Sequence, residues 1–114
     1  ARSLEAGHPV SNVRTAGSVA DALLAPSPGS LGFAIHTAIG SAACAVTDDE
    51  ALAAVAFAFR ELKLVVEPGG AVALAALLAG RIDCRGRTVA VVLSGGNIDE
   101  SVLTRALAAG ETSR

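Results

Sequence analysis

Thr88-Val89-Ala90-Val91-Val92-Leu93-Ser94-Gly95-Gly96-Asn97 is the stretch that decides how this chain is read. Residues 88–93 form a continuous apolar, β-branched run without polar alternation. Such a run predicts a central parallel strand covered on both faces. It stops at Ser94-Gly95-Gly96-Asn97, and a helix is expected over 99–109, closed by Gly110. Open α/β sheets bind ligands at the carboxyl ends of their strands. Two glycines remove side chains, so a flat ring or a phosphate can approach the backbone, and the following helix aims its N-terminal amides nearby. A plain strand-to-helix turn uses the same residues, so the motif alone leaves both readings open.

Outward from this turn, residues 68–80 carry no polar side chain. Pro68 suits the first position of a helix, and a helix apolar all round is expected to be buried on every face. Glu67 stands just ahead of it. Its carboxylate either caps the helix or stands at the mouth of a pocket, within a proton or water network. Thr47-Asp48-Asp49-Glu50 has the form of a capping box, with an acidic first turn suited to the positive helix end. Leu52, Val55, Phe59 and Leu62 follow at helical spacing and predict one buried stripe.

Further out, 42–46 reads as a short strand, 28–40 as a helix and 64–66 as a brief extended link. Residues 1–7 read as the end of a helix closed by Gly7, with Pro9 beyond. Residues 11–18 form a polar loop, 81–87 a charged connection around Gly86, and 111–114 a frayed end. Residues 18–24 lie between short helix and loop, and Ser18-Val19-Ala20-Asp21-Ala22 within them has a structural turn as its default reading. Helices alternating with short buried strands predict an α/β fold with an open, mostly parallel sheet and covering helices. The buried helix and the doubly covered strand ask for more covering surface than the other segments supply. The 114 residues are therefore expected to be a fragment of a larger α/β domain, or to pack on another chain.

Composition narrows the function. Nine basic residues against eleven acidic ones leave a net charge of −2 and no Lys/Arg cluster, which argues against nucleic acid as a partner. The 68–80 stretch is too short to span a bilayer, so no membrane is expected, and no secretory leader is visible. Cys44 and Cys84 form no C-x-x-C pair and read as two buried thiols in a reducing, cytoplasmic compartment. His8 and His36 stand in unrelated contexts without metal-ligand spacing, and no metal site is expected. The single lysine, Lys63, ends an amphipathic helix and reads as a surface residue.

Taken together, Lys63-Leu64-Val65-Val66-Glu67-Pro68-Gly69-Gly70-Ala71-Val72-Ala73-Leu74-Ala75-Ala76-Leu77-Leu78 and Val89-Ala90-Val91-Val92-Leu93-Ser94-Gly95-Gly96-Asn97-Ile98-Asp99 resemble the late buried helix and closing motif of pyridoxal-phosphate-dependent threonine and serine dehydratases. Both occur in the family's order and separation, and residues 18–22 correspond to a third family segment. Serine racemases and a hydroxyectoine-linked branch of dehydratases share these motifs. The resemblance implies the C-terminal part of the large domain of the tryptophan-synthase-β-like fold, as one domain fragment over 1–114 without a regulatory domain. It implies that Ser94 meets the pyridine nitrogen of pyridoxal 5'-phosphate, that Gly95 and Gly96 leave room for the ring, and that Glu67 lies near the ring in its proton network. Many members carry glycine where this chain has Ala22 beside the cofactor, and the extra methyl narrows that contact. The family's cofactor-binding lysine and phosphate loop have no counterpart here.

The resemblance therefore implies a parent enzyme that turns L-threonine or L-serine into a 2-oxo acid and ammonia, with this chain inactive by itself. Its partners would be the missing N-terminal part of the same enzyme, a small hydroxy amino acid, and further copies in a homo-oligomer. Racemisation, or deamination of a related hydroxy amino acid, is the alternative within the family. A non-catalytic module that binds a small anion or drives oligomerisation is the alternative outside it.

Overall fold

In a computed structural model, residues 1–13 and 15–109 are described. Gly110, expected to close the last helix, the 111–114 end, and Arg14 of the 11–18 loop lie outside the described residues. Five α-helices follow one another: α1 (Arg2–Ala6), α2 (Ser30–Ala38), α3 (Asp48–Phe57), α4 (Pro68–Leu78) and α5 (Glu100–Ala109). A 3-10 helix, Asp21–Leu23, precedes α2, and a π-helical turn, Ala58–Leu62, extends α3.

Local chemistry sets the helix ends. Gly7, with φ of 71°, closes α1 in the left-handed region that glycine enters without steric cost. Thr47 and Glu50 form the expected capping box: the Glu50 amide donates to Thr47 Oγ1 at 3.1 Å and the Thr47 amide to Glu50 Oε2 at 2.7 Å. Pro68 opens α4. Within 18–24, left between helix and loop by the sequence, only Asp21–Leu23 turns into a short 3-10 helix.

The core is the α3–α4 pair with α5 laid against α3. Ala54, Val55 and Ala58 face Ala71, Leu74 and Ala75, and Ala106 of α5 closes the cluster. Small side chains at these positions let the helix axes approach closely, and interior packing leaves few voids. Val46, Val91, Leu93, Ile98, Val102 and Leu103 pack around the edge of this cluster.

Four expectations need correction. First, neither 42–46 nor 88–93 belongs to a β-ladder among the described residues. A strand exists only through its neighbours' hydrogen bonds, and the chain supplies none to either segment. Val91 and Leu93 are half-buried on the core while Val92 between them is 72% exposed, so one face of the run is covered, not two. Second, the α3 stripe holds at Leu52 and Val55 but Phe59 and Leu62 are exposed. The wider π turn shifts the register after Phe57 and brings Ala58 inward instead. Third, α4 is not covered all round: Ala73 and Leu78 are exposed. Fourth, Cys44 is exposed and Cys84 half-buried, both in segments outside the helical core.

Candidate functional site

The predicted residues converge at the N-terminus of α4. Glu67 is its N-cap in extended backbone, yet its side chain makes no capping hydrogen bond. Of the two roles open to this carboxylate, the structure removes the cap. The Glu67 amide instead donates to the Gly95 carbonyl at 3.0 Å, which ties the start of α4 to the glycine turn. The half-buried Glu67 side chain lies across Gly95. A Cβ at Gly95 would stand 2.5 Å from Glu67 Oε1 and 2.9 Å from Cδ.

The other glycines serve the same close approach. A Cβ on Gly70 would stand 2.8 Å from both the nitrogen and the oxygen of Gly95, and one on Gly96 would stand 2.8 Å from the Val65 carbonyl oxygen. Backbone meets backbone here, and any side chain at these positions would separate the two segments. The chain's own packing thus already requires glycine at 95 and 96. Ala22 arrives from the 3-10 helix, its Cβ 3.5 Å from the Cβ position of Gly69. Ser94 is exposed at the edge of this cluster, and its hydroxyl makes no hydrogen bond with a described residue.

Asp48, which the sequence marked only as part of an acidic first turn, holds the Ala22 segment. Ser18 Oγ donates to Asp48 Oδ1 at 2.6 Å, the Val19 amide donates to Oδ2 at 3.3 Å, and the Ala20 amide donates to Ser18 Oγ at 3.1 Å. These 30 residues of separation gave the sequence no signal, because only folding brings Ser18 to the N-terminus of α3. A lone serine ahead of a turn and an acidic capping box were each legible, but not their pairing.

Lys63 closes the π turn in the left-handed region, exposed, with its Nζ donating to the Arg60 carbonyl. On the other side of α3, Arg81 clasps the capping box through Nε and Nη2, at 3.1 and 2.6 Å from Glu50 Oε1. The Thr47 amide, and then Arg81, hold the Glu50 carboxyl below its ordinary value. A cavity of about 480 Å³ between α1 and α2, lined by Ser3, Leu4, Val10, Phe33 and His36, includes none of the predicted site residues. Among the described residues no group of His, Cys, Asp or Glu is placed to hold a metal ion, and no helix is long and apolar enough to cross a membrane.

Comparison with known proteins gives a consistent result. A family described as pyridoxal-phosphate dependent enzyme matches residues 1–95. L-threonine ammonia-lyase of Thermotoga maritima is 36% identical over 93 residues, covering 82% of this chain and 23% of that protein. The crystal structure of a T.th. threonine deaminase superimposes with a TM-score of 0.76 at 36% identity, over 86% of this chain and 33% of that one. Serine racemase from Dictyostelium discoideum superimposes with a TM-score of 0.75 at 33% identity, over 86% of this chain and 31% of that one. The chain thus spans a quarter to a third of the length of these relatives, and over that part it shares their tryptophan-synthase-β-like α/β fold.

Proposed function

The chain belongs to the pyridoxal-phosphate-dependent enzyme family, and from that premise we propose that it is the C-terminal part of the large domain of an L-threonine/L-serine dehydratase. The parent enzyme releases a 2-oxo acid and ammonia. The observation that supports this reading is the Glu67 carboxylate lying against Gly95, the residue that follows the exposed Ser94.

These residues fit the cofactor. Ser94 is exposed with its hydroxyl unpaired, the two residues after it carry no side chain, and the Glu67 carboxylate, without a capping role, lies against Gly95. When bound, pyridoxal phosphate supplies the electron sink for the amino acid's Cα. Ser94 would hold the ring nitrogen by a hydrogen bond without delivering a full charge to it, which would suit the elimination of a β-hydroxyl. Glu67 holds or moves a proton at its carboxylate beside the ring. The backbone clamp between 65–70 and 95–96 keeps both groups in register, and the Ala22 methyl narrows the approach. Lys63, the single lysine, is engaged at the end of α3 with the Arg60 carbonyl. The lysine needed for covalent catalysis is thus supplied by the N-terminal part of the enzyme, and this chain alone is inactive.

The free thiols of Cys44 and Cys84 support a reducing compartment, the cytoplasm. The uncovered apolar residues of α2 support further partners, the N-terminal part first and other copies of the enzyme next. The likeness to a serine racemase favours a second reading, racemisation of a small hydroxy amino acid at the same site. The test is Ser94→Ala in the full-length parent, with formation of pyruvate or 2-oxobutyrate and the cofactor absorbance followed together. The rate should fall at least tenfold, as for loss of an oriented hydrogen bond worth about 1.5 kcal/mol, and the spectrum should shift. An unchanged rate and spectrum would remove Ser94 from the site. Chiral analysis of residual serine separates dehydration from racemisation.

A further inference from the structure

We propose that Gly95 is a positioning residue that sets where the Glu67 carboxylate sits, so that its missing side chain acts on the reaction through Glu67 rather than by making room for the ring. The proposal rests on the reading of the site given above and deepens it. A Cβ on Gly95 would stand 2.5 Å from Glu67 Oε1, 2.9 Å from Cδ and 3.5 Å from Cγ. The first two distances are shorter than side chains tolerate, so something must move. The backbone at 95 has little freedom to do so. The Glu67 amide holds its carbonyl at 3.0 Å. The first turn of α4 backs it at Gly70, with only 2.8 Å from a Cβ there to the Gly95 nitrogen and oxygen. A Cβ on the next residue, Gly96, would stand 2.8 Å from the Val65 carbonyl oxygen.

Three backbone contacts thus fix the turn, and the movable neighbour is the Glu67 side chain, which no capping bond restrains. A methyl at 95 displaces the carboxylate first. The coupling is steric and one-directional. It predicts that shortening Glu67 relieves the substitution at Gly95, which a role in ring access does not predict.

The experiment uses the full-length holoenzyme with L-threonine as substrate, measuring 2-oxobutyrate formation across pH and the cofactor absorbance. Gly95→Ala should lower kcat on the order of 10²-fold, the cost of an ångström-scale misplacement. It should also shift the limb of the pH profile that Glu67→Gln abolishes. In the Glu67→Gln background the same substitution should cost no further activity. Adding Glu67→Asp to Gly95→Ala should raise the rate, although Glu67→Asp alone lowers it. Equal losses from Gly95→Ala in the wild-type and Glu67→Gln backgrounds would overturn the proposal, as would absence of rescue by Glu67→Asp. If Gly95→Ala does not accumulate as folded protein, folded yield decides: recovery on adding Glu67→Asp supports the steric coupling, and equal failure overturns it. Ser94→Ala serves as the separate control. An unchanged cofactor spectrum there would sink the reading of the site itself, whatever Gly95 does.

Discussion

Lys63 is the non-glycine residue with positive φ among those described, 60° at the end of the π turn. Holding an L side chain there costs about 1–2 kcal/mol, while glycine costs about 0.4–1 kcal/mol of extra unfolded-state entropy. Lys63→Gly should therefore stabilise the chain by about 0.5–1 kcal/mol, read as a higher midpoint of denaturant unfolding. Glu50 carries a pH signature. Its carboxyl is held below the ordinary 4.5 by the Thr47 amide first and Arg81 second. A folded-state value that is depressed contributes stability present above the unfolded value and lost as pH falls through the folded one. Unfolding midpoints should thus drop as the solution is acidified below about pH 4.5, and Glu50→Gln should flatten that part of the curve. An unchanged acid limb in Glu50→Gln would show that the capping box carries none of it.

Elements differ in how they were announced. The starts of α3 and α4 were legible because caps are local: a Thr47–Glu50 box and a proline at the first turn need only residues within one turn of each other. The π turn was not legible, since nothing in Ala58–Leu62 marks an i+5 register, and it moved Phe59 and Leu62 from the expected stripe to the surface. The 3-10 helix is placed by a long-range device, the Asp48 carboxylate. Asp48→Ala removes two acceptors, one of them on a charge-assisted bond at 2.6 Å, and should cost about 1.5–3 kcal/mol. Hydrogen exchange at the Val19 amide should rise with it. Full protection of that amide in Asp48→Ala would show that the segment is held by packing on α4 instead.

At the scale of the molecule, the chain is broad and thin. It measures 41 × 37 × 21 Å with a radius of gyration of 14.9 Å, against about 13 Å for a self-contained domain of this length. Leu31, Ile35 and Ile39 are all more than half exposed on one face at α2, and Val92 is exposed on the uncovered side of its run. Monomers rarely show contiguous apolar surface of this kind. The isolated chain should bind a hydrophobic dye and sediment as associated species, and adding the N-terminal part of the parent should suppress both. A folded, dye-free monomer would contradict the need for a covering partner and favour a self-standing module.

The apolar run at 88–93 and the all-apolar stretch at 68–80 were enough, in the sequence alone, to indicate an α/β chain, while the glycine turn at 94–97 by itself left a plain turn and a ligand site both open. They were legible because hydrophobic pattern and cap chemistry act over a few residues. Only the tertiary structure decided that Gly95 underlies the Glu67 carboxylate, that Gly70 backs it, and that Asp48 holds the segment bearing Ala22. Those pairings join residues far apart in the chain, and no local rule of propensity or spacing selects one such meeting over another. Helix packing selects it, by bringing backbones close enough that a single methyl group becomes decisive.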